Sequence, residues 1–374
     1  MKGLTNGIDI LPEDRIAFFK NLVKDISSDK EKVALIYKYL QQNFRYVGIQ
    51  LGIGGYRPFP ARFTDEKKYG DCKGLSFYTY SVLKALGIKS YVALINAEYN
   101  EEPVDPSFPC NYFNHMILCV PQKNDSLWLE CTSKTSDFNY LGNSTENRYA
   151  LLITEDGSIL VPTPASDPSH NKISFSTLIK LNEDGSGQAI SMLYVNGDRR
   201  RIMDEMLTSK DDDQKDFIVK SLGFREPDNF KLKKVDDEDI QINLDIEKIP
   251  QFTTGAKMFL NPRINGFWIK NLPSSKDRKQ DFFFEFVVDR SDTTVYQLPP
   301  TFTIDALPRS VNKKCGFASY ASDYFYDKEK NQLMSVAKFI IYKNRVPAAG
   351  YPEVKTFFDE VLSVESQKMV IKKN

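Results

Sequence analysis

Apolar positions recur at intervals of three and four through residues 11–46, and this spacing predicts two helices. Ile16, Phe18, Phe19, Leu22, Val23 and Ile26 form the first stripe, and Val33, Ile36, Tyr37, Leu40 and Phe44 form the second. Ser27, Ser28 and Asp29 stand between them and offer capping oxygens for the second helix. Residues 48–70 lose this period and are punctuated by Gly52, Gly54, Gly55, Pro58 and Pro60, which predicts a loop. A third helix is expected from about Asp71 to Leu86, stopped by Gly87. Strand-like runs follow at Ser90–Ala97, Phe113–Val120, Ser126–Cys131 and Tyr149–Ile153, with a proline-containing loop over 101–109. Helices followed by strands in this order predict an α+β domain with a mainly antiparallel sheet.

The texture changes after 162–168, a Pro/Thr/Ser stretch that reads as a linker. Strands are expected at Ile173–Leu181, Gly187–Val195, Phe230–Asp245, Gln280–Asp289, Thr301–Leu307, Cys315–Asp327 and Gln332–Tyr342. One helix, about Arg200–Leu222, interrupts them. Residues 182–187 are the turn of a hairpin between the first two strands. The expected organisation is therefore a first domain over 1–165 and a β-rich region over 173–374, made of one or two β-sandwich units.

A chain of 374 residues is long for one core. With 41% hydrophobic and 27% charged residues it is globular in composition, and 13% aromatics suit extended structure. Fifty basic residues balance fifty acidic ones, which argues against nucleic acid as a partner. No apolar run reaches the roughly 18 to 20 residues of a membrane span, and the first residues lack an apolar signal core. The five cysteines (72, 110, 119, 131, 315) contain no Cys-x-x-Cys pair, so neither a zinc knuckle nor a dense disulfide framework is expected; no metal or other cofactor is expected either.

Only two histidines are present, which narrows any chemistry that needs imidazole. Cys72 falls where a glycine-containing loop, Gly70-Asp71-Cys72-Lys73-Gly74, turns into a helix. Unpaired N–H groups and the positive end of the dipole favour a thiolate there and can hold an oxyanion. His115 lies in a strand, on one face with Phe113 and Ile117; a face packed toward the helix would let it take the thiol proton. Glu130 ends the apolar strand Leu127-Trp128-Leu129, where a carboxylate needs a partner and can orient the imidazole. His170, in the Pro/Ser linker, reads as exposed and inert. Each residue alone also fits a core or surface role; the order Cys, His, acid is what gives the set weight.

These stretches resemble the transglutaminase-like superfamily, in which a helix-borne cysteine precedes a histidine and an acid on successive strands. The likeness is carried by residues 43–49 (Asn-Phe-Arg-Tyr-Val-Gly-Ile), 55–58 (Gly-Tyr-Arg-Pro), 68–76 (Lys-Tyr-Gly-Asp-Cys-Lys-Gly-Leu-Ser), 113–115 (Phe-Asn-His) and 128–133 (Trp-Leu-Glu-Cys-Thr-Ser). Residues 181–187 and 351–373 also resemble the C-terminal part of Bacteroidetes-type members that carry a β domain of unassigned function. The resemblance implies a papain/transglutaminase-like core and a Cys72–His115–Glu130 triad. It also implies a periplasmic or cell-envelope setting. Two positions depart from the pattern: the superfamily's acid is usually Asp where Glu130 stands, and many relatives have Asp where Gly74 stands.

The expected function is a cysteine peptidase or amidase working on a peptide or isopeptide-like amide through a thioester, with peptide or protein as substrate. Gln50 is the candidate side chain for the oxyanion beside the Cys72 N–H. An amine-accepting transglutaminase and a catalytically inactive binding or scaffold protein are the alternatives. A cell-envelope partner or glycan held by the β half is a further one.

Overall fold

The computed structural model describes residues 2–48, 51–98, 104–108, 110–236, 239–267, 271–274 and 278–374. Gln50 and much of the loop over 101–109 lie outside the described residues. The chain divides into two compact units, Met1–Ser166 and Asp167–Asn374.

The first unit runs α1 (Lys2–Thr5), α2 (Glu13–Leu22), α3 (Asp29–Asn43), β1 (Arg45–Tyr46), α4 (Ala61–Lys67), β2 (Tyr69–Gly70) and α5 (Cys72–Ala85). It then continues through β3 (Tyr91–Ile95), β4 (His115–Pro121), β5 (Ser126–Leu129), β6 (Tyr149–Thr154) and β7 (Gly157–Pro162). The last five strands form one sheet in the order β5-β4-β3-β6-β7, antiparallel throughout. Ser28 stands at the N-cap of α3 as expected, yet its side chain makes no capping hydrogen bond.

The expected loop over 48–70 contains α4, which seven residues between Pro60 and a left-handed Lys68 are enough to form. Its buried Asp65 takes a hydrogen bond from Tyr78 Oη at 2.6 Å, an ion pair from Arg15 at 2.8 Å and one from Lys68 at 3.0 Å. Burial alone would raise the Asp65 pKa; these bonds outweigh it and hold the carboxyl below its usual range. One carboxylate so joins α2, α4 and α5.

Helix α5 is buried along nearly its whole length, from Cys72 to Thr79 and again from Ser81 to Leu83. Leu75, Val82 and Leu83 share a core with Met116, Leu118 and Val120 of β4, each full burial contributing about 1.5–3 kcal/mol. The Ser76, Thr79 and Ser81 hydroxyls each find a carbonyl acceptor, and Ser76 Oγ donates to Met116 O at 2.9 Å, fixing the helix along the strand.

The second unit runs β8 (Lys172–Leu181), β9 (Gly187–Val195), α6 (Asp198–Met206), α7 (Asp211–Asp216), β10 (Asn229–Lys234), β11 (Asp239–Ile246), β12 (Phe252–Thr254) and β13 (Lys257–Leu260). It continues with β14 (Phe282–Phe283), β15 (Val288–Gln297), β16 (Phe302–Ala306), β17 (Val311–Lys314), β18 (Ala318–Asp327), β19 (Gln332–Ile341), β20 (Arg345–Val346), α8 (Tyr351–Glu365) and β21 (Met369–Lys373). Eight strands make a sheet in the order β10-β11-β9-β8-β15-β19-β18-β17, with β15 and β8 parallel. The 182–187 turn joins β8 to β9 as expected, with Gly185 at φ +90°.

The C-terminal half is β-rich, as expected, but its core is more than two facing sheets. Val354, Phe357, Phe358 and Val361 of α8 share one buried cluster with Phe175 and Leu193 of the large sheet and Met369 and Ile371 of the four-stranded sheet β12-β13-β21-β16. Three expected elements are corrected. The single strand over 230–245 is the hairpin β10–β11. The helix over 200–222 is α6, α7 and a π turn at Phe217–Ser221. The strand over 280–289 splits, with β15 running on to Gln297.

Candidate active site

Cys72 is the first residue of α5 and is 5% exposed. Asp71 caps the helix: its Oδ1 accepts from Gly74 N at 2.9 Å, its backbone oxygen accepts from Leu75 N at 2.9 Å, and its other carboxylate oxygen pairs with the buried Lys73 ammonium. The approach to this turn is tight. Strand β2 pairs in parallel with β1, and a Cβ on Gly70 would stand 3.3 Å from the Gly74 backbone. Gly74 itself has room for a Cβ, which would meet only Asp71 Oδ1 at 3.6 Å and Thr64 Oγ1 at 3.7 Å.

His115 is the first residue of β4, and Glu130 follows the last residue of β5. The antiparallel register, Leu118 opposite Leu129, brings the two ends together. His115 Nε2 lies 2.9 Å from Glu130 Oε2 and 3.1 Å from Oε1; an ionised carboxylate only accepts, so the ring donates. The Cys72 side chain acts on the same ring, helping to raise its pKa. His115 and Glu130 therefore pair directly, and Cys72 bears on the same ring, while His170 lies exposed on a short 3₁₀ turn in the other unit.

The route by which His115 reaches the helix differs from the expected one. Met116, Leu118 and Val120 are the residues of β4 that share a core with α5. Ile117 and Cys119, of His115's own parity, belong to the separate cluster with Trp128 and Leu152. The imidazole meets Cys72 from the end of the strand rather than from its helix-facing side.

Several partners of the site carry no periodic signal and escaped the sequence reading. Thr132 clamps Glu130 Oε1 with its hydroxyl at 2.5 Å and its N–H at 3.2 Å. Tyr37 Oη donates to the Glu130 backbone oxygen at 3.1 Å, and Gln41 ties α3 to Ser136 O at 2.8 Å just beyond. Tyr46 is half exposed on β1, and its hydroxyl makes no hydrogen bond among the described residues. Burial, and then the neighbouring acidic side chains, Glu130 among them, raise its pKa, so the phenol stays a donor. Its signal was available only as the register that sets Tyr46 beside Gly70, two residues from Cys72.

Burial by itself would lower the His115 pKa. The hydrogen bonds and charges of Cys72 and Glu130 outweigh burial and lift it to about 10. Glu130 moves the other way: burial would raise it, but His115 and Thr132 hold it below its usual range. The stabilisation from a raised histidine is complete below its unfolded value, roughly 6.5, and disappears as pH rises through about 10. That from Glu130 is present above its unfolded value and disappears as pH falls through its folded one. NMR titration should therefore find the His115 ring protonated well past neutrality, and Glu130→Gln should lower its titration point. A titration unchanged by that substitution would contradict the assigned pairing.

Burial pushes Cys119 up to about 11 and Cys131, beside Glu130, up to about 12. Among the described residues no group of three or more His, Cys, Asp or Glu side chains could hold a metal ion. No helix among them is long and apolar enough to cross a membrane.

Residues 256–371 match a domain of unknown function with a solved structure, DUF3858. In fold the chain is similar to a solved structure from Parabacteroides distasonis named "putative protease", at a TM-score of 0.52 and 13% identity. The similarity covers 96% of this chain and 55% of that one, so the chain spans little more than half of that protein's length. At that identity the likeness speaks to fold alone. No curated protein sequence matches.

Proposed function

We propose that this chain is a cysteine peptidase or amidase with a transglutaminase-like core over 1–165, acting on a peptide or isopeptide-like amide. What supports the reading is the pairing of His115 Nε2 with Glu130 at 2.9 Å, on a ring whose pKa the Cys72 side chain also raises. Nε2 being taken by Glu130, Nδ1 is the nitrogen left for the sulfur. The Cys72 thiolate attacks the amide carbonyl carbon, and the oxyanion forms against the Cys72 N–H at the start of α5. The His115 imidazolium gives its proton to the leaving nitrogen, the C–N bond breaks, and a thioester remains. Water, deprotonated by the now neutral imidazole, then adds to the thioester; the C–S bond breaks and the carboxylic acid leaves with thiolate and imidazolium restored. Glu130, fixed by Thr132, keeps the ring oriented and offsets its positive charge. Glutamate at this position is long enough for the task because it approaches from just beyond β5.

Tyr46 supplies a second donor toward the oxyanion in this reading. Tyr46→Phe should lower kcat on p-nitrophenyl acetate by about 10²-fold with KM unchanged, and an unchanged kcat would remove Tyr46 from the mechanism. The reading as a whole is tested by iodoacetamide at neutral pH. Cys72 should alkylate faster than Cys110 and Cys315, and His115→Ala should abolish the difference. Equal rates for the three thiols in the unsubstituted chain would overturn it.

A further inference from the structure

The second unit holds a cavity of about 550 Å³ lined by Arg225, Asn261, Arg263, Asn265, Glu365 and Lys368, among others. Three cations and one carboxylate face it. Arg225 donates to the carbonyl oxygens of Ile249 and Pro250 at 3.1 and 3.4 Å and pairs with no carboxylate among the described residues. Lys368 Nζ donates to Ser366 O at 2.8 Å, and burial lowers its pKa despite the charge of Glu365. Arg263 is 4% exposed and binds Glu365, but among the described residues its Nε lacks a hydrogen-bond acceptor, Asp292 Oδ1 being 3.5 Å away.

Behind the cavity wall Arg290 is also buried, 3.9 Å from Asp292. Burial, with Arg263 and Arg199 nearby, brings it down to about 10. Positive charge is in excess here, and water alone solvates it poorly at such depth. Asn265 adds a second unmet need. It is fully buried, and its Nδ2 donates to Asp292 Oδ2 at 2.7 Å. Because a carboxylate must receive the N–H₂, the amide orientation is settled, and Oδ1 is the atom with no donor among the described residues.

We propose that this cavity binds a small ligand bearing both a carboxylate and an amide N–H, the chemistry of a free peptide C-terminus. The carboxylate faces Arg225, Arg263 and Lys368; the N–H faces Asn265 Oδ1. The volume lies within the range of small-molecule sites. The inference stands apart from the Cys72 chemistry and survives its failure.

Calorimetric titration of the full chain with acetyl-Ala-Ala, its C-terminal amide and N-acetylmuramic acid tests it. Arg225→Gln and Lys368→Gln serve as variants, because these side chains are not in the buried ion network. Acetyl-Ala-Ala should bind, the amide about tenfold or more weakly, and each variant should cost about tenfold. Binding of the sugar acid in place of the peptide keeps the chemistry and assigns its source to an acylated amino sugar. Absence of binding by either carboxylate at millimolar concentration would overturn the proposal. So would equal affinity for acid and amide, or affinity unchanged in both variants.

Discussion

Cys72→Ala should reduce turnover of p-nitrophenyl acetate by about 10⁴-fold or more, the loss typical of a missing nucleophile. Folding should survive, since the side chain removed is small and the capping of α5 rests on Asp71. Adding His115→Ala to this variant should lower the residual rate little further, because the two groups act as a unit and their effects do not add. Cys72→Ser should resemble the alanine variant: a hydroxyl is far less acidic than a thiol, and the imidazolium between it and Glu130 then has no sulfur anion to face. A serine or alanine variant that keeps a tenth of the original rate would place the chemistry elsewhere.

Arg263→Ala carries the largest expected effect on stability. Arg263 is the cation between Asp292, 1% exposed, and Glu365, which also receives the Tyr320 hydroxyl. Its guanidinium stacks 4.6 Å from the centre of the Phe267 ring. Removing one partner of a buried ion network strands the others, at a cost of about 3–5 kcal/mol. Urea unfolding followed on the second unit should show that loss, and the deficit should narrow in acid as the two stranded carboxylates take up protons. A change below about 1 kcal/mol, the value typical of an exposed pair, would mean that Arg290 and Lys368 rather than Arg263 balance them.

Strand β15 shows why part of this fold was hidden from its sequence. Its buried positions are Val288, Arg290, Asp292, Thr294 and Tyr296, three of them polar, and the opposite face is mostly polar as well, so neither face stands out as apolar. Hydrophobic alternation points away from such a strand, and the expected strand accordingly stopped at Asp289. By contrast β8 and β9 alternate cleanly in sequence and in burial, and both are found where expected. Helix α4 was masked by the prolines and glycines before it and by its brevity. Helix α8 is another matter, since Val354, Phe357, Phe358 and Val361 already repeat at helical spacing.

The candidate site was legible in its three central residues because each belongs to a strong local pattern: a helix start and two strand ends. Tyr37 and Tyr46 were not, because what brings them to the site is register and packing between elements distant in the chain, and Thr132 was not, because its bond to Glu130 two residues back is a local turn with no periodic pattern. The face on which His115 was expected to meet the helix was misassigned for a related reason. Alternation gives parity along β4 but not which parity the helix covers, and at a strand's first residue the side chain can turn around the end.

Everything proposed for the first unit depends on a covalent bond forming at one sulfur. Acid quenching during turnover of an activated ester, followed by digestion and mass spectrometry, locates that bond. The acyl group should be found on the peptide containing Cys72 and vanish in Cys72→Ala. An acyl group on any other residue, or the same labelling in both proteins, would contradict a nucleophile at the start of α5.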